Sequence, residues 1–360
     1  MHIPVHAGPE TGYAVEIENG LLGSLADVMR TVLPEGAPRF VLSSPRIWRL
    51  HGAAIAAGLP TSEPILVPDG ERAKQLTTVQ RVYDALIRAN ADRSTQLVVV
   101  GGGVLGDLGG FAAATFLRGI SYVQVPTTLL AQVDSAIGGK VGVNHALGKN
   151  LIGAFHHPRL VVSDPLVLRT LSRREFRAGL YEVVKYAVIA SRPLFDQLMV
   201  GLPQIVARES EVLVPIIAEC CRIKAEVVAA DEREQGLRRT LNFGHTVGHA
   251  LEAVTKYRRF RHGEAVAYGM RAAAWLARTR GSLAADAHEA LDELLTRMGP
   301  LPTVADLSAA ACLEAMRHDK KVVRGTLHFV LPVDIGRTAI VTDVTELELA
   351  TSLREVGLRI

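Results

Sequence analysis

The chain has few cysteines and almost no net charge. Cys220, Cys221 and Cys312 are an odd number with an adjacent pair, which gives no disulfide framework and fits small buried side chains in a reducing compartment. Lys and Arg together number 40, against 37 for Asp and Glu. Because no charge of one sign dominates, we expect no nucleic acid as a partner.

Long apolar runs are absent as well. No uninterrupted apolar stretch reaches the roughly 18 residues of a membrane span. The start, MHIPVHAGPETGY, lacks the basic flank and apolar core of a signal peptide. We therefore predict a cytoplasmic protein with no membrane partner. Its 360 residues, 48% of them hydrophobic, are enough for two domains with sizeable cores.

The first part of the chain alternates short β-branched runs with helical patterns. RFVLSSP, EPILVPDG, TQLVVVGGG and SYVQVPTT are typical of strands bounded by Gly, Pro or Ser. Helical spacing at i, i+3, i+4, i+7 and i+8 relates Val79, Val82, Tyr83, Leu86 and Ile87. This alternation predicts an α/β fold, and the wholly apolar LVVV run predicts a parallel strand covered on both faces.

The rest of the chain is predicted to be mostly helical. Beyond about residue 165 strand signals almost vanish, and helical patterns continue to the region of Met316. TLHFVLPVDIGRTAIVTDV, near the end, predicts two strands in a hairpin-like pair. This pair either returns to the main sheet or forms a small sheet of its own.

A glycine-rich turn follows the LVVV run. Gly101, Gly103 and Gly106 have G-x-G-x-x-G spacing, which lets backbone N–H groups approach a pyrophosphate. The acidic residue expected about 20 positions later is missing. The turn therefore indicates either a variant nucleotide site or a tight turn without a ligand. Further polar groups at strand ends are Asp107 and the loop Asp69, Gly70, Glu71, Arg72, Ala73 and Lys74.

The segment VDSAIGGKVGVNHALGKNLIG places charged and amide side chains among glycines. These residues are Asp134, Lys140, Asn144, Lys149 and Asn150. Such a composition is awkward inside a helix or strand, so we predict a functional loop. Lysines in this setting bind phosphate as point charges, and asparagines bind hydroxyl groups. Further cations for an anionic ligand are Arg118, Lys224, Arg238 and Lys320, with Arg239 and Lys321 as adjacent alternatives to the last two.

Three segments, AGLYEVVKYAVI, RTLNFGHTVGHALEA and RHGEAVAYGM, favour a metal site. Glu182, His245 and His262 offer one carboxylate and two imidazoles, the set that a catalytic zinc takes when it keeps a position open. A single buried histidine is more often a hydrogen-bonded core residue, but three candidate ligands together favour the metal.

Helical spacing adds neighbours to this site. Lys185 and Tyr186 share a helix face with Glu182, and His249 shares one with His245. Thr246 stands where the H-E-x-x-H motif needs its Glu. One of the two histidines is therefore a ligand, while the other carries a proton or supports a ligand. We interpret His156 and His157 as structural.

These motifs resemble those of the 3-dehydroquinate synthase family of the shikimate pathway. The resemblance is carried by GGGVLGDLGGFAAATFLRG, VPTTLLAQVDSAIGGKVGVN, LGKNLIGAF, EVVKYA, LNFGHTVGHALEA and HGEAVAYGM, in this order. It implies an α/β plus α fold, with a Rossmann-like parallel-sheet NAD-binding domain at residues 1–168 and a mostly helical metal- and substrate-binding domain at 169–360. It also implies a homodimer.

The resemblance implies a role for each matching residue. The metal ligands are Glu182, His245 and His262, with zinc expected and cobalt as an alternative. NAD is expected at Asp69, Gly70, Glu71, Arg72, Ala73, Lys74, Gly103, Val104, Leu105, Gly106, Asp107, Thr127, Thr128, Lys140, Lys149, Val167, Leu168, Arg169 and Thr170. Substrate binding or catalysis is expected at Arg118, Asp134, Lys140, Asn150, Lys185, Lys224, Arg238, Asn242, His249 and Lys320. Val141, Ser172 and His156 depart from residues frequent in the family, without removing a charge or ligand.

The reaction implied is the conversion of 3-deoxy-D-arabino-heptulosonate 7-phosphate to 3-dehydroquinate and phosphate. It proceeds through transient oxidation by NAD, β-elimination, re-reduction and intramolecular aldol closure. Three alternatives stay open. They are another sugar-phosphate cyclase of the 2-deoxy-scyllo-inosose or epi-valiolone type, a metal-dependent glycerol or alcohol dehydrogenase, and an inactive binding protein of the same fold.

Overall fold

A computed structural model describes residues 1–6, 12–60, 63–317, 322–323 and 326–359. The chain divides into two compact units. Unit 1 comprises Met1–Ser172 and Arg208–Glu232, and unit 2 comprises Arg173–Ala207 and Arg233–Ile360. The segment 208–232 thus belongs to unit 1, whereas the family resemblance implied a second domain that comprises all of residues 169–360.

The strands in the described part of the chain are short. They are β1 (His2–His6), β2 (Gly12–Ile17), β3 (Arg39–Ser43), β4 (Ile65–Leu66), β5 (Gln96–Gly101), β6 (Ser121–Pro126), β7 (Lys140–His145), β8 (Gly148–Phe155), β9 (Leu160–Ser163), β10 (Val322–Val323), β11 (Thr326–Leu327), β12 (Phe329–Asp334) and β13 (Arg337–Val341).

The helices of unit 1 are α1 (Leu25–Arg30), α2 (Pro45–Gly58), α3 (Leu76–Arg88), α4 (Gly103–Thr115) and α7 (Ser210–Ala230). Those of unit 2 are α5 (Arg173–Ala190), α6 (Arg192–Ala207), α8 (His245–Val254), α9 (His262–Thr279), α10 (Ala285–Arg297), α11 (Ala309–Arg317) and α12 (Glu346–Glu355). Short 3₁₀ segments are Leu21–Ser24, Glu71–Ala73, Phe116–Arg118, Pro165–Thr170 and Leu237–Asn242, and Ala131–Ser135 is a π-helical turn. Within the described ranges, no helix is both long and apolar enough to cross a membrane.

Unit 1 is built on a mostly parallel sheet of order β1-β2-β9-β6-β5-β3-β4. Only the pair β1–β2 is antiparallel among these neighbours in the described residues. β5 and β9 are buried along their whole length, because parallel strands are covered by helices on both faces. The predicted α/β architecture is confirmed.

Helix α3 follows the apolar pattern expected from the sequence. Val79, Val82 and Leu86 are fully buried against the unit, whereas Ile87 is 62% exposed. Ile87 therefore lies outside the buried face, next to the C-terminal residue of the helix.

The glycine-rich segment was predicted to be a functional loop, and this was wrong for most of its length. Residues 140–155 form the antiparallel hairpin β7–β8. Gly142 and Gly153 are cross-strand partners, and a Cβ on Gly142 would lie 2.5 Å from the carbonyl oxygen of Ile152. The glycines here allow two strands to approach closely, rather than marking a loop.

Unit 2 is mainly helical, as predicted. Helix α9 packs against both α5 and α8, with Tyr181, Val184, Leu251 and Val266 fully buried. Strands β12 and β13 pair in an antiparallel sheet of their own. Of the two alternatives left open for this hairpin, the separate small sheet is the one observed.

Candidate active site

Glu182, His245 and His262 come together in unit 2. Each offers one ligand atom, and these atoms lie within 4.8 Å of one another. Nε2 of His245 is 3.8 Å from Oε1 of Glu182, and Nε2 of His262 is 3.5 Å from the same oxygen. The three residues, which lie far apart in sequence, are therefore brought to one point by the fold.

Each ligand is held at a defined place on a helix. Glu182 lies in the middle of α5, whereas His245 and His262 are the first residues of α8 and α9. The start of α9 is fixed by the buried Glu264, whose Oε2 accepts a hydrogen bond of 2.8 Å from the backbone N–H of Arg261. Arg174 donates two hydrogen bonds of 2.7 Å to the same carboxylate. This bidentate pair fixes the turn that carries His262.

The Glu182 carboxylate fits a metal ligand better than a structural ion pair. It is fully buried, and neither of its oxygens has a hydrogen-bond partner among the described residues. A buried carboxylate in this condition is costly unless a cation neutralises it. Two imidazoles and a carboxylate whose ligand atoms lie within 4.8 Å of one another match a three-ligand catalytic zinc site.

Lys185 supplies part of the compensating charge. Its Nζ lies 2.6 Å from Oε2 of Glu182, and its side chain is 1% exposed. The two groups lack the geometry of a hydrogen bond. The short distance therefore shows that the two charges are close, while Oε2 still has no hydrogen-bond partner in the described part of the chain. Because Lys185 faces Oε2 and both imidazoles face Oε1, the two oxygens have different surroundings. The predicted helix face of Glu182 and Lys185 is confirmed.

Three further candidates lie in unit 2. The ring of His249 is 5.5 Å from that of His245 and 5.9 Å from that of His262, measured between centroids. Nδ2 of Asn242 donates a 2.7 Å hydrogen bond to Glu234. Arg238 is 3% exposed, whereas its alternative, Arg239, is only half-buried.

The predicted cofactor segments of unit 1 all follow strands of the parallel sheet. Asp69 to Lys74 follow β4, and Gly103 to Asp107 follow β5 as the first residues of α4. Thr127 and Thr128 follow β6, and Val167 to Thr170 follow β9 within a 3₁₀ segment. Because the carboxyl ends of parallel strands meet at one edge of a sheet, the fold gathers these four segments where open α/β sheets bind ligands.

Side chains pack closely against the backbone of the glycine turn. A Cβ on Gly103 would lie 2.7 Å from Oγ of Ser135, and one on Gly101 would lie 2.5 Å from Leu105. The N-cap of α4 is Gly102, with no side-chain hydrogen bond to the helix. The first N–H groups of α4 are thus not capped by a side chain, which suits the binding of an anion.

Lys74 ties the cofactor segments to the β7–β8 hairpin. Its side chain is 5% exposed, and Nζ donates hydrogen bonds of 2.5 Å to Asp107 and to Asn150. Burial raises the pKa of Asp107, and the Lys74 ammonium opposes that rise. A second link runs from Glu71, which accepts from Nδ2 of Asn144 at 2.7 Å and lies 3.5 Å from Nζ of Lys149.

The other predicted substrate residues of unit 1 lie on different elements. Lys224 of α7 donates to the carboxylate of Asp134 and, at 2.6 Å, to its carbonyl oxygen. Lys140 is exposed at the start of β7. Arg118 has a φ of +71° and follows Leu117 at +49°, a strained pair costing about 1–3 kcal/mol per residue and typical of functional turns. Lys320 lies outside the described residues.

Sequence reasoning missed Glu252. This residue is 7% exposed, and its Oε2 lies 3.3 Å from Nδ1 of His262. The signal was available, since His245, His249 and Glu252 are spaced at i, i+4 and i+7 on one helix face. His249, Glu252 and His262 also offer ligand atoms within 4.8 Å of one another.

Known proteins are similar to this chain in sequence and in fold. The family models for the 3-dehydroquinate synthase N-terminal and C-terminal regions match residues 64–178 and 179–322. A curated 3-dehydroquinate synthase from Solibacter usitatus (strain Ellin6076) is 46% identical, with 94% of each chain covered.

Two solved structures extend the likeness to three dimensions. A 2-epi-5-epi-valiolone synthase from Streptomyces hygroscopicus subsp. jinggangensis 5008, with NAD⁺ and Zn²⁺ bound, is 30% identical, with a TM-score of 0.88 and coverage of 98% and 99%. A 2-deoxy-scyllo-inosose synthase complexed with carbaglucose-6-phosphate, NAD⁺ and Co²⁺ is 25% identical, with a TM-score of 0.85 and coverage of 99% and 100%. The two family models, the identity over nearly the full length and the shared fold establish that this chain belongs to the 3-dehydroquinate synthase family.

Proposed function

We propose that this chain is an NAD- and metal-dependent 3-dehydroquinate synthase of the shikimate pathway. It converts 3-deoxy-D-arabino-heptulosonate 7-phosphate to 3-dehydroquinate and inorganic phosphate. The observation that carries the proposal is the buried Glu182 carboxylate facing Nε2 of His245 and of His262, in a chain 46% identical to a curated 3-dehydroquinate synthase.

Glu182, His245 and His262 hold the divalent cation in this proposal. Zinc is the favoured metal, because borderline imidazole ligands with one carboxylate are typical of catalytic zinc. Co²⁺ takes the same ligands, and a structural relative contains it. The two oxygens of Glu182 have no hydrogen-bond partner among the described residues, which supports a bound metal cation rather than another ion pair with a side chain.

NAD is assigned to the strand ends of unit 1. The polar loop before α3, the first turn of α4, the threonines after β6 and the 3₁₀ segment after β9 supply its contacts. A structural relative of 30% identity contains NAD⁺. The glycine turn thereby becomes a variant nucleotide site, which is the first of its two interpretations from the sequence.

When bound, NAD⁺ supplies a reversible hydride acceptor and the divalent cation supplies a Lewis acid that lowers the pKa of the substrate's carbinol hydroxyl. The residues of the chain bind and orient the substrate. Its phosphate and carboxylate need cations, and Lys185, Lys224 and Arg238 are almost fully buried ones. Buried cations bind anions strongly because little solvent screens them. Arg118, Lys140 and Lys320 complete the proposed set.

Proton handling is assigned to His249, because histidine is the residue type most often used for general acid–base catalysis. Asn242, Asp134 and Asn150 orient substrate hydroxyl groups in this proposal. A homodimer, implied by the family resemblance, is part of it too; light scattering distinguishes a dimer from a 38.7 kDa monomer.

The alternatives differ in substrate and in the fate of the hydride. The sibling cyclases are less similar to this chain, at 30% and 25% identity, than the curated 3-dehydroquinate synthase at 46%. A glycerol or alcohol dehydrogenase would release NADH in stoichiometric amounts. A cyclase regenerates NAD⁺ in every turnover.

The proposal is tested by measuring phosphate release and NADH absorbance in one assay. With the heptulosonate phosphate, NAD⁺ and Zn²⁺, we expect phosphate to be released with no net NADH, and a chelator to stop the release. Activity only on glucose 6-phosphate or sedoheptulose 7-phosphate, or NADH accumulating with product, would contradict the proposal.

A matched pair of variants ties this activity to the metal. Glu182→Gln removes a ligand charge, and we expect metal affinity to fall by more than about 100-fold, because even residues behind a ligand contribute about 10- to 100-fold. Affinity for NAD⁺ should change little. Glu175→Gln, on the same helix but paired with Arg261, serves as the control and should retain metal and turnover.

A further inference from the structure

Both histidines of the metal site have one ring nitrogen engaged and the other turned towards Glu182. Nδ1 of His245 lies 3.0 Å from the backbone carbonyl oxygen of Phe243. Nδ1 of His262 lies 3.3 Å from Oε2 of Glu252. In each ring, Nε2 is the atom that faces the Glu182 carboxylate.

These partners decide which nitrogen carries the proton. A carbonyl oxygen only accepts hydrogen bonds, and so does an ionised carboxylate. Nδ1 is therefore the N–H donor in both rings, which leaves the lone pair of a neutral imidazole on Nε2. That lone pair is the one a metal needs.

The two rings differ in the kind of group that accepts the hydrogen bond from Nδ1. The acceptor for His245 is main chain, two residues away, and no side-chain substitution removes it. The acceptor for His262 is a side chain of α8, ten residues away in sequence. Glu252 is 7% exposed, whereas the side chain of His262 is 31% exposed. The orientation of the more exposed ligand thus depends on one buried carboxylate.

We propose that Glu252 is a positioning residue, which holds His262 with Nε2 towards the cation and raises the basicity of that ligand. The proposal deepens the metal assignment made above and rests on it. Carboxylates that accept a hydrogen bond from a metal-binding imidazole act in this way in other metal sites. Glu252 also links α8, which starts at His245, to the first residue of α9.

Glu252 has a competing role as a ligand. His249, Glu252 and His262 form a second group with ligand atoms within 4.8 Å. Glu182 is the better carboxylate ligand, because its oxygens lack hydrogen-bond partners, while Oε2 of Glu252 already faces Nδ1 of His262. An imidazole that uses Nδ1 for Glu252 keeps only Nε2 for a metal.

The test measures Co²⁺ affinity by competition with a chelating dye, together with the visible absorption of the Co²⁺-loaded protein. We expect Glu252→Ala to lower affinity about 10- to 100-fold and to shift the visible bands, because a reoriented imidazole changes the ligand field. Glu252→Gln keeps an acceptor oxygen at the same place, so it should lose less Co²⁺ affinity than Glu252→Ala. Circular dichroism checks that each variant folds. If Glu252→Ala does not fold, the Co²⁺ affinity and visible spectrum of Glu252→Gln alone test the proposal.

The control is Thr255→Ala, at the residue that directly follows α8. Its hydroxyl donates only to the main-chain carbonyls of Leu251 and Glu252, so the variant should keep wild-type affinity and spectrum. Wild-type affinity and spectrum in both Glu252 variants would overturn the proposal. A loss in Glu252→Ala as complete as in His262→Ala would overturn it too, because Glu252 would then be a ligand. Wild-type protein that binds no Co²⁺ would instead refute the proposed function.

Discussion

Single buried lysines neutralise two partly buried carboxylates. Lys74 pairs with Asp107, and Lys224 pairs with Asp134, in unit 1. A buried pair of this kind contributes little net stability, but losing one partner leaves an uncompensated charge. The arrangement keeps cations at fixed places without exposing them to solvent, which suits the binding of anionic ligands.

Lys74→Met should therefore destabilise the protein by about 3–5 kcal/mol. The substitution leaves the Asp107 carboxylate without its ammonium partner and removes a hydrogen bond to Asn150. Adding Asp107→Asn should restore part of the loss, because an amide carries no charge to neutralise. Urea unfolding of the two single variants and the double variant measures this coupling, and additive losses would contradict it.

The same variant should depend on pH in a defined direction. Burial raises the pKa of Asp107 above its ordinary value of 3.8, and without Lys74 that rise should grow. A raised pKa in the folded protein costs no stability at a pH where the carboxyl is protonated in both the folded and the unfolded state. The loss of stability grows as the pH rises above the pKa of the carboxyl in the unfolded chain. The deficit of Lys74→Met should thus be larger at about pH 8 than at about pH 5.

At the level of elements, glycines bring the ligand-bearing helices close together. A Cβ on Gly263 of α9 would lie 1.9 Å from the carbonyl oxygen of Ala178 in α5. One on Gly269 would lie 1.8 Å from the carbonyl oxygen of Gly244, just before α8. A side chain does not fit at either position. Glycine therefore allows the helices to approach closely, and this approach sets the spacing of Glu182, His245 and His262.

Gly263→Ala should force α5 and α9 apart. We expect a loss of at least about 1–3 kcal/mol in unfolding free energy, together with loss of metal binding, since His262 is the preceding residue. Gly201→Ala is the control, because its Cβ would meet only Ile205 at an ordinary 3.7 Å. Alanine in that helix interior should stabilise by about 0.5–1 kcal/mol. Metal retained at full affinity in Gly263→Ala would contradict the spacing argument.

At the scale of the whole molecule, the two proposed ligand sets are divided between the units. The proposed metal ligands all belong to unit 2, and the proposed NAD segments all belong to unit 1. A ligand stabilises the part of a protein that it binds by about 4 kcal/mol at 1,000 times its dissociation constant. Each ligand should thus protect a different part of the chain.

Hydrogen exchange measured by mass spectrometry tests this division. Removing the metal with a chelator should increase exchange in α8 and the start of α9, with little effect on β5 and α4. Adding NAD⁺ should protect the turn from Gly101 to Asp107 first. Protection confined to the same peptides for both ligands would contradict the assignment.

The sequence by itself determined the class of fold and most site candidates. Strand and helix periodicity and the apolar LVVV run depend on local patterns, and i, i+3 spacing placed Glu182 and Lys185 on one face. The glycine-rich hairpin was misread, because glycine marks both loops and closely paired strands. The return of α7 to unit 1 also has no local signal.

Only the tertiary structure decided which groups meet. Nothing in the sequence indicates that Lys74 contacts both Asp107 and Asn150, or that Nδ1 of His262 faces Glu252. Spacing along a helix predicts shared faces, but contacts between distant segments depend on how the helices pack. The convergence of Glu182, His245 and His262 was an expectation from residue types, and the packing of α9 against both α5 and α8 brings it about.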